Sequence, residues 1–250
     1  MSSAAIDALP KPGERVVVTV AHPDDESFGT GSLIALAAAN GAQVTVICAT
    51  RGEAGERLHD RTTDHLPLGV VREQELRAAA ETLGVEAVEV LDFVDSGFDG
   101  PPPDGSLCAA TLDDVAEVLL HRLEPLRPDV VLTIDGSDGH RDHVRIREAT
   151  LQAVARIERP IRVVQSCLPN SLMRRWIEET RTLNPDAVYL DLDLDSLGRP
   201  DLELTRVDTS PYLDAREAAI ACHRSQRSPY DGLSDGLRRA FLTNDFIVVN

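Results

Sequence analysis

The sequence predicts an α/β protein, a three-layer fold with a mostly parallel sheet between two layers of helices. Three observations predict it. Short β-branched runs alternate with segments of helical periodicity from residue 15 onward. Most of the helical segments end at a stop residue such as Gly or Pro. The chain has 250 residues, 42% of them hydrophobic, which is enough to cover both faces of one sheet.

The elements follow in order. "RVVVTVA" (15–21) is a strand of β-branched residues, and "GSLIALAAANG" (31–41) is a helix stopped at Asn40-Gly41. "QVTVICAT" (43–50) is the second strand. "VVREQELRAAAETLG" (70–84) puts Leu76, Ala79, Ala80 and Leu83 on one helical face and stops at Gly84. "VEAVEVLDF" (85–93) is the third strand. "TLDDVAEVLLHRLEP" (111–125) spaces Leu112, Val115, Leu119 and Leu123 as a helix that Pro125 ends. "DVVLTI" (129–134) is the fourth strand, followed by a helix near 143–157 and strands near 161–165 and 187–191. The alternation in "YLDLDLDSLG" (189–198) reads as a half-exposed strand rather than a metal site. Ser210-Pro211 opens a helix that leads to "CHRSQ", where His223 reads as structural. One domain over 1–250 is expected, with residues 1–13 a flexible tail.

Three strands in order with short connections make a Rossmann-like start. Sites in such sheets form beyond the carboxyl ends of the strands, where strand order reverses. "AHPDDE" follows strand one and "DGSDGHRDH" follows strand four, so the two segments are expected to share one crevice. The connections 51–69 and 95–110 are long and polar or rich in Gly and Pro, as lids and specificity loops are. His59 and His65 in the first are expected to face solvent.

A formal charge of −17, with Lys11 the sole lysine, excludes the basic footprint that nucleic acid or an anionic membrane requires. The four cysteines are far apart and form no CxxC, which suits free thiols in a reducing cytosol. The first residues lack the basic and apolar regions of a signal peptide, and no apolar run reaches membrane-spanning length. A cytoplasmic protein is expected, with its oligomeric state open, a homo-oligomer included.

The carboxylates of "AHPDDE" repel one another unless a positive charge sits among them. A divalent metal supplies it. His22 and Asp25 reach one ion across a proline-stiffened turn, and "GHRDH" offers His140 and His143, three residues apart, for the third ligand. Imidazole with carboxylate suits zinc with a position left for water, and ferrous iron suits the same set.

"AHPDDE" with a later "GHRDH" resembles the PIG-L/LmbE family of metal-dependent N-deacetylases and amidases. "TRGEAG" (50–55), "REQELRAAAETLGV" (72–85), "DSGF" (95–98) and "AIACHRSQ" (219–226) extend the resemblance over most of the chain. It implies one zinc per chain on His22, Asp25 and His143, with Asp24 as general base. It implies that His140 stabilises the oxyanion and serves the leaving amine, with Asp142 tuning His140. Arg72 and Asp95 match positions that hold sugar hydroxyls or an anionic substituent, Phe98 borders the acyl group, and Glu53 faces the site without a fixed role. The implied reaction removes an acyl group, acetyl first of all, from the nitrogen of an N-acetylglucosamine-type sugar or conjugate.

The alternatives are an amidase acting on a thiol-conjugated sugar or secondary metabolite, a metal-binding sugar-recognition protein without turnover, and a non-catalytic Rossmann-type nucleotide-binding module suggested by "GTGS" (29–32). The last lacks the GxGxxG spacing, and the carboxylates before it would repel a pyrophosphate. One departure stands out. Several thiol-sugar members of the family carry a tyrosine in the loop before the second motif, and "TIDGSDGH" has none.

Overall fold

Strand β1 (Arg15–Val20) runs through the middle of a seven-stranded sheet, and its alternating side chains explain why. Val16, Val18 and Val20 enter one apolar layer, while Val17 and Ala21 enter the other. A strand buried on both faces has to be an inner one. The structure is a computed structural model that describes residues 9–58, 63, 65–185 and 187–250. His59 and residues 1–8 of the expected tail lie outside the described residues. The rest of that tail is tied down, because Leu9 packs on the core and the Gly13 N–H bonds the Gly41 carbonyl at 2.9 Å.

The sheet order is β3-β2-β1-β4-β5-β7-β6. Strands β2 (Gln43–Cys48), β3 (Ala87–Val90), β4 (Val130–Ile134) and β5 (Arg162–Cys167) continue β1 in parallel. Strand order reverses between β1 and β4, with Val16 opposite Val130 and Thr19 opposite Thr133. The segments after both strands therefore leave the sheet side by side. On one face pack α2 (Gly31–Ala39), α3 (Leu68–Thr82) and α7 (Leu213–Ile220); on the other, α4 (Leu112–Leu126) and α5 (Arg141–Ala155). A short α1 (Asp25–Phe28) precedes α2. The expected face of α3 is buried throughout. Pro125 falls inside the last turn of α4 rather than ending it; the chain turns at Arg127, in the left-handed conformation with φ 49°.

The last third departs most from expectation. Residues 188–191 form a 3₁₀ turn, not a strand. Tyr189, Leu190, Leu192 and Leu194 pack against α6 (Asn170–Leu183) and α8 (Asp235–Leu242), so the alternation serves a third apolar cluster instead of a sheet. The outer sheet positions go to β7 (Asn244–Val249) and β6 (Thr205–Asp208), with β7 antiparallel to both β5 and β6. Among the described residues no helix is long and apolar enough to cross a membrane.

Candidate active site and metal centre

The end of β1 and the start of α5 build the site. Asp25 opens α1, and its Oδ2 accepts the N–H groups of Ala21 (3.1 Å) and His22 (2.8 Å). That clamp aims its other oxygen at His143, where Oδ1 lies 3.1 Å from Nε2. His22 Nδ1 lies 3.3 Å from the same Nε2 and 3.7 Å from Asp25 Oδ2. Donor atoms ~2.0–2.1 Å from one ion at tetrahedral angles stand about 3.3 Å apart. The two ring nitrogens stand at that spacing and each lies near one oxygen of Asp25, so His22, Asp25 and His143 bring donor atoms to one place, as do the rings of His22, His140 and His143.

The far sides of both rings meet carboxylates. Asp138 Oδ2 is 2.5 Å from His143 Nδ1, and Asp142 Oδ2 is 3.2 Å from His22 Nε2 with Asp95 Oδ1 at 3.5 Å. Carboxylates behind metal-binding histidines fix the tautomer and raise ligand basicity. His22, Asp95 and Asp142 also form a close cluster of donor atoms. It is the less open one: Asp142 is fully buried and its oxygens accept from the Ser96 N–H (2.9 Å) and the Cys108 thiol (3.1 Å). Burial opposes charge on His22, yet Asp142 and Asp95 raise it to about 9. Burial likewise opposes charge on His143, and Asp138 and Asp25 push it well up. The carboxylates around His22 and His143 thus favour positive charge at these two rings.

His140 is the N-cap of α5. Its Nδ1 accepts the Asp142 N–H at 3.2 Å, which leaves the ring proton on Nε2. Burial first, then the positive rings of His22 and His143, lower its pKa. Asp142 reaches His140 through its own N–H and, as a smaller influence, through its charge. Its carboxylate, two positions past that ring, turns instead to His22.

Asp24 sits between His22 and Asp25 in the motif, with its side chain 16% exposed and so reachable. Arg72 Nη2 donates to Asp24 Oδ2 at 2.9 Å and to the Pro23 carbonyl at 2.5 Å, and Nη1 donates to the Gly52 carbonyl at 2.7 Å. Burial raises the Asp24 carboxyl, and Arg72 opposes that rise. "TRGEAG" now has a reason. A Cβ on Gly52, which has φ +64°, would lie 2.2 Å from Arg72 Nη1, so the loop can approach the guanidinium only without a side chain. Arg72 is 3% exposed, and its guanidinium is turned to Asp24 and the backbone rather than to open space.

Asp95 is equally committed, since its oxygens accept the N–H groups of Ala54 (3.2 Å) and Gly97 (2.8 Å). Glu53 is exposed at the rim and accepts the Asp95 N–H at 3.3 Å. Phe98 is half-buried, edge-on to His140 at 5.5 Å between ring centres. His65 is exposed, as expected. The glycines of "GTGS" serve packing: a Cβ on Gly29 would press on Ile134 and on the Asp25 carbonyl, and one on Gly31 on Arg216.

Three residues escaped the sequence reading. Asp138 was findable, because a histidine ligand usually has a carboxylate behind it and "SDGHRDH" places one near. Arg141 donates to the carbonyls of Ser96, Gly97 (2.6 Å), Asp99 (2.9 Å) and Gly100 (2.7 Å), binding the loop of Asp95 and Phe98 to α5. Tyr189 meets Phe98 at 4.9 Å between ring centres. Burial raises its phenol, as do the charges of Asp138, Asp24 and Asp25. No sequence signal marks it, since it reaches the site from a segment with strand periodicity.

A family model described as "GlcNAc-PI de-N-acetylase", PIG-L, matches residues 17–154. A 1D-myo-inositol 2-acetamido-2-deoxy-alpha-D-glucopyranoside deacetylase of Thermobispora bispora is 33% identical, over 94% of this chain and 87% of the relative. The N,N'-diacetylchitobiose deacetylase of Pyrococcus horikoshii superposes with a TM-score of 0.61 at 19% identity, covering 95% of this chain and 84% of that one. The 4-carboxy-2-hydroxymuconate hydratase of Pseudomonas putida superposes with a TM-score of 0.62 at 19% identity, covering 94% of this chain and 95% of that one. The fold thus hosts more than one chemistry, and function has to be read from the site.

Proposed function

The chain belongs to the PIG-L family, and we propose that it is a zinc-dependent de-N-acetylase acting on an N-acetylglucosamine-type sugar conjugate. The observation that carries this reading is the gathering of His22 Nδ1, His143 Nε2 and the two Asp25 oxygens at separations of 3.1 to 3.7 Å, with Asp24 within reach of the charges of Asp25 and His22. These three residues would hold the ion. When bound, it supplies Lewis-acid chemistry, polarising the amide carbonyl and lowering the pKa of water toward ~7. Zinc suits the His₂Asp set and is proposed first; ferrous iron is the competitor.

The chain's own residues do the rest. Asp24 takes the proton of the attacking water. Burial brings its carboxyl nearer to neutrality, which makes it a better proton acceptor, and Arg72 fixes its Oδ2. His140 keeps its proton on Nε2 and donates to the oxygen that gains charge as the carbonyl carbon becomes tetrahedral. The C–N bond then breaks. The nitrogen leaves as a free amine after taking the proton that Asp24 accepted, and the acyl group leaves as a carboxylate. Phe98 and Tyr189 line the cleft beside His140 as apolar walls. Arg72 and Asp95 act on the base and on His22. The relative's printed substrate makes a glucosamine joined to a polyol the first conjugate to try. The four free cysteines fit a reducing cytosol.

The test is metal content of protein purified without added metal, with free-amine release from N-acetylglucosaminyl-inositol before and after chelation. One zinc per chain and chelator-sensitive release are expected. Asp24→Ala should keep the metal and lose at least about 100-fold in turnover. A chain that releases amine equally well after complete metal removal would end this reading.

A further inference from the structure

Asp24 has φ 123° and ψ −29°, a backbone conformation that residues other than glycine rarely adopt. Such a conformation persists only where its surroundings over-determine it. The Asp24 carbonyl is held by the N–H groups of Ser27 (2.9 Å) and Phe28 (2.7 Å), the first turn of α1. Its N–H bonds Glu26 Oε2 at 2.9 Å. A buried peptide N–H needs an acceptor, and this carboxylate supplies it.

Glu26 is itself fixed. It is fully buried, and its Oε1 accepts the Ser27 hydroxyl at 2.6 Å and meets His223 Nε2 at 2.6 Å. His223 is 2% exposed and packs edge-on to Phe28. Its Nδ1 has no partner among the described residues. The chain thus leaves one ring nitrogen buried and unpaired, a cost in itself, and commits the other to a carboxylate 197 positions away. That carboxylate holds the peptide of Asp24.

We propose that Glu26 and His223 are positioning residues for Asp24. His223 and Ser27 donate to one oxygen of Glu26, which leaves the other to accept the Asp24 N–H and keep the turned peptide in place. The carboxylate of the base is then presented to the cleft from a rigid backbone rather than a relaxing one. This rests on Asp24 being the base.

The test uses metal-loaded full-length His223→Leu and His223→Gln, since Leu keeps bulk without a donor and Gln keeps an N–H donor. Three quantities are read: bound metal, kcat and KM on the amide substrate, and hydrogen exchange of the Asp24 amide by NMR. His223→Leu should keep one metal per chain and its KM, lose about 10- to 100-fold in kcat, and expose the Asp24 amide to exchange, with His223→Gln recovering most of both. Wild-type kcat in His223→Leu, or a fall in kcat with Asp24 exchange unchanged, overturns the proposal. If His223→Leu does not fold, Ser27→Ala decides: a smaller drop in kcat with faster Asp24 exchange supports it, and no change in either overturns it. An Asp24→Ala chain with full activity would sink the base assignment instead, so the two failures are distinguishable.

Discussion

At Asp138 one carboxylate serves two histidines. Its Oδ2 bonds His143 Nδ1, and its Oδ1 accepts the His140 N–H at 3.1 Å. With Nδ1 so engaged, the lone pair of Nε2 is free for an ion. Asp138→Ala should therefore weaken metal binding by about 10- to 100-fold, measured by competition with a chromophoric chelator. Unchanged affinity would mean that the ion does not use His143 Nε2. Arg72 is the counterpart on the other side of the site. Its guanidinium meets a carboxylate and two carbonyls, which Lys could not match with one ammonium group.

Elements matter here through their ends. Helix α5 begins one residue after His140, so the cap, the proposed ligand His143 and Arg141 all fall in or beside its first turn. Arg141 gathers four carbonyls of residues 96–100 and so holds the loop of Asp95 and Phe98 against that turn. Arg141→Ala should raise KM several-fold with metal content unchanged, and should speed amide exchange across 96–100. Exchange that stays slow there would show that the loop is held by its own turns. Helix α3 has the same economy. Its buried stripe carries Arg72 and Glu75 along with Leu76, Ala79 and Ala80, and Glu75 accepts the Ser225 N–H (2.8 Å) and hydroxyl (2.6 Å). The "REQEL" and "CHRSQ" segments, remote in sequence, are thereby joined into one unit.

For the whole molecule, the sheet's antiparallel end is joined to the helices by a buried charge. Asp245 on β7 lies 3.6 Å from Arg216 of α7 and accepts the Thr209 hydroxyl at 2.6 Å. Burial raises its carboxyl above the ordinary 3.8, although Arg216 and the hydroxyls of Thr209 and Ser32 oppose the rise. The folded chain therefore holds this proton more tightly than the unfolded chain. That contribution to stability is complete below the unfolded value and is lost as pH rises through the higher folded value. Relative to Asp245→Asn, which does not titrate, the wild type should lose stability across that window, seen as a falling difference between urea midpoints. A difference independent of pH would place the carboxyl at its ordinary value.

The sequence by itself determined the first five strands, the helices between them and the point where strand order reverses. Its β-branched runs and helical spacings are local signals, and burial on both faces leaves one arrangement for them. It also brought His22, Asp24, Asp25, His140 and His143 together, because strand ends on either side of a switch point must be neighbours. Tertiary structure alone decided what those residues touch. Whether Asp142 serves His140 or His22, and whether Arg72 meets solvent or Asp24, depends on side-chain directions set by packing across 48 to 120 positions. The turn at Tyr189 and the closing pair β6 and β7 were hidden for a related reason. Alternating apolar residues fit a sheet face and a helix-packed turn equally well, and only the competition for space around α6 and α8 chose between them.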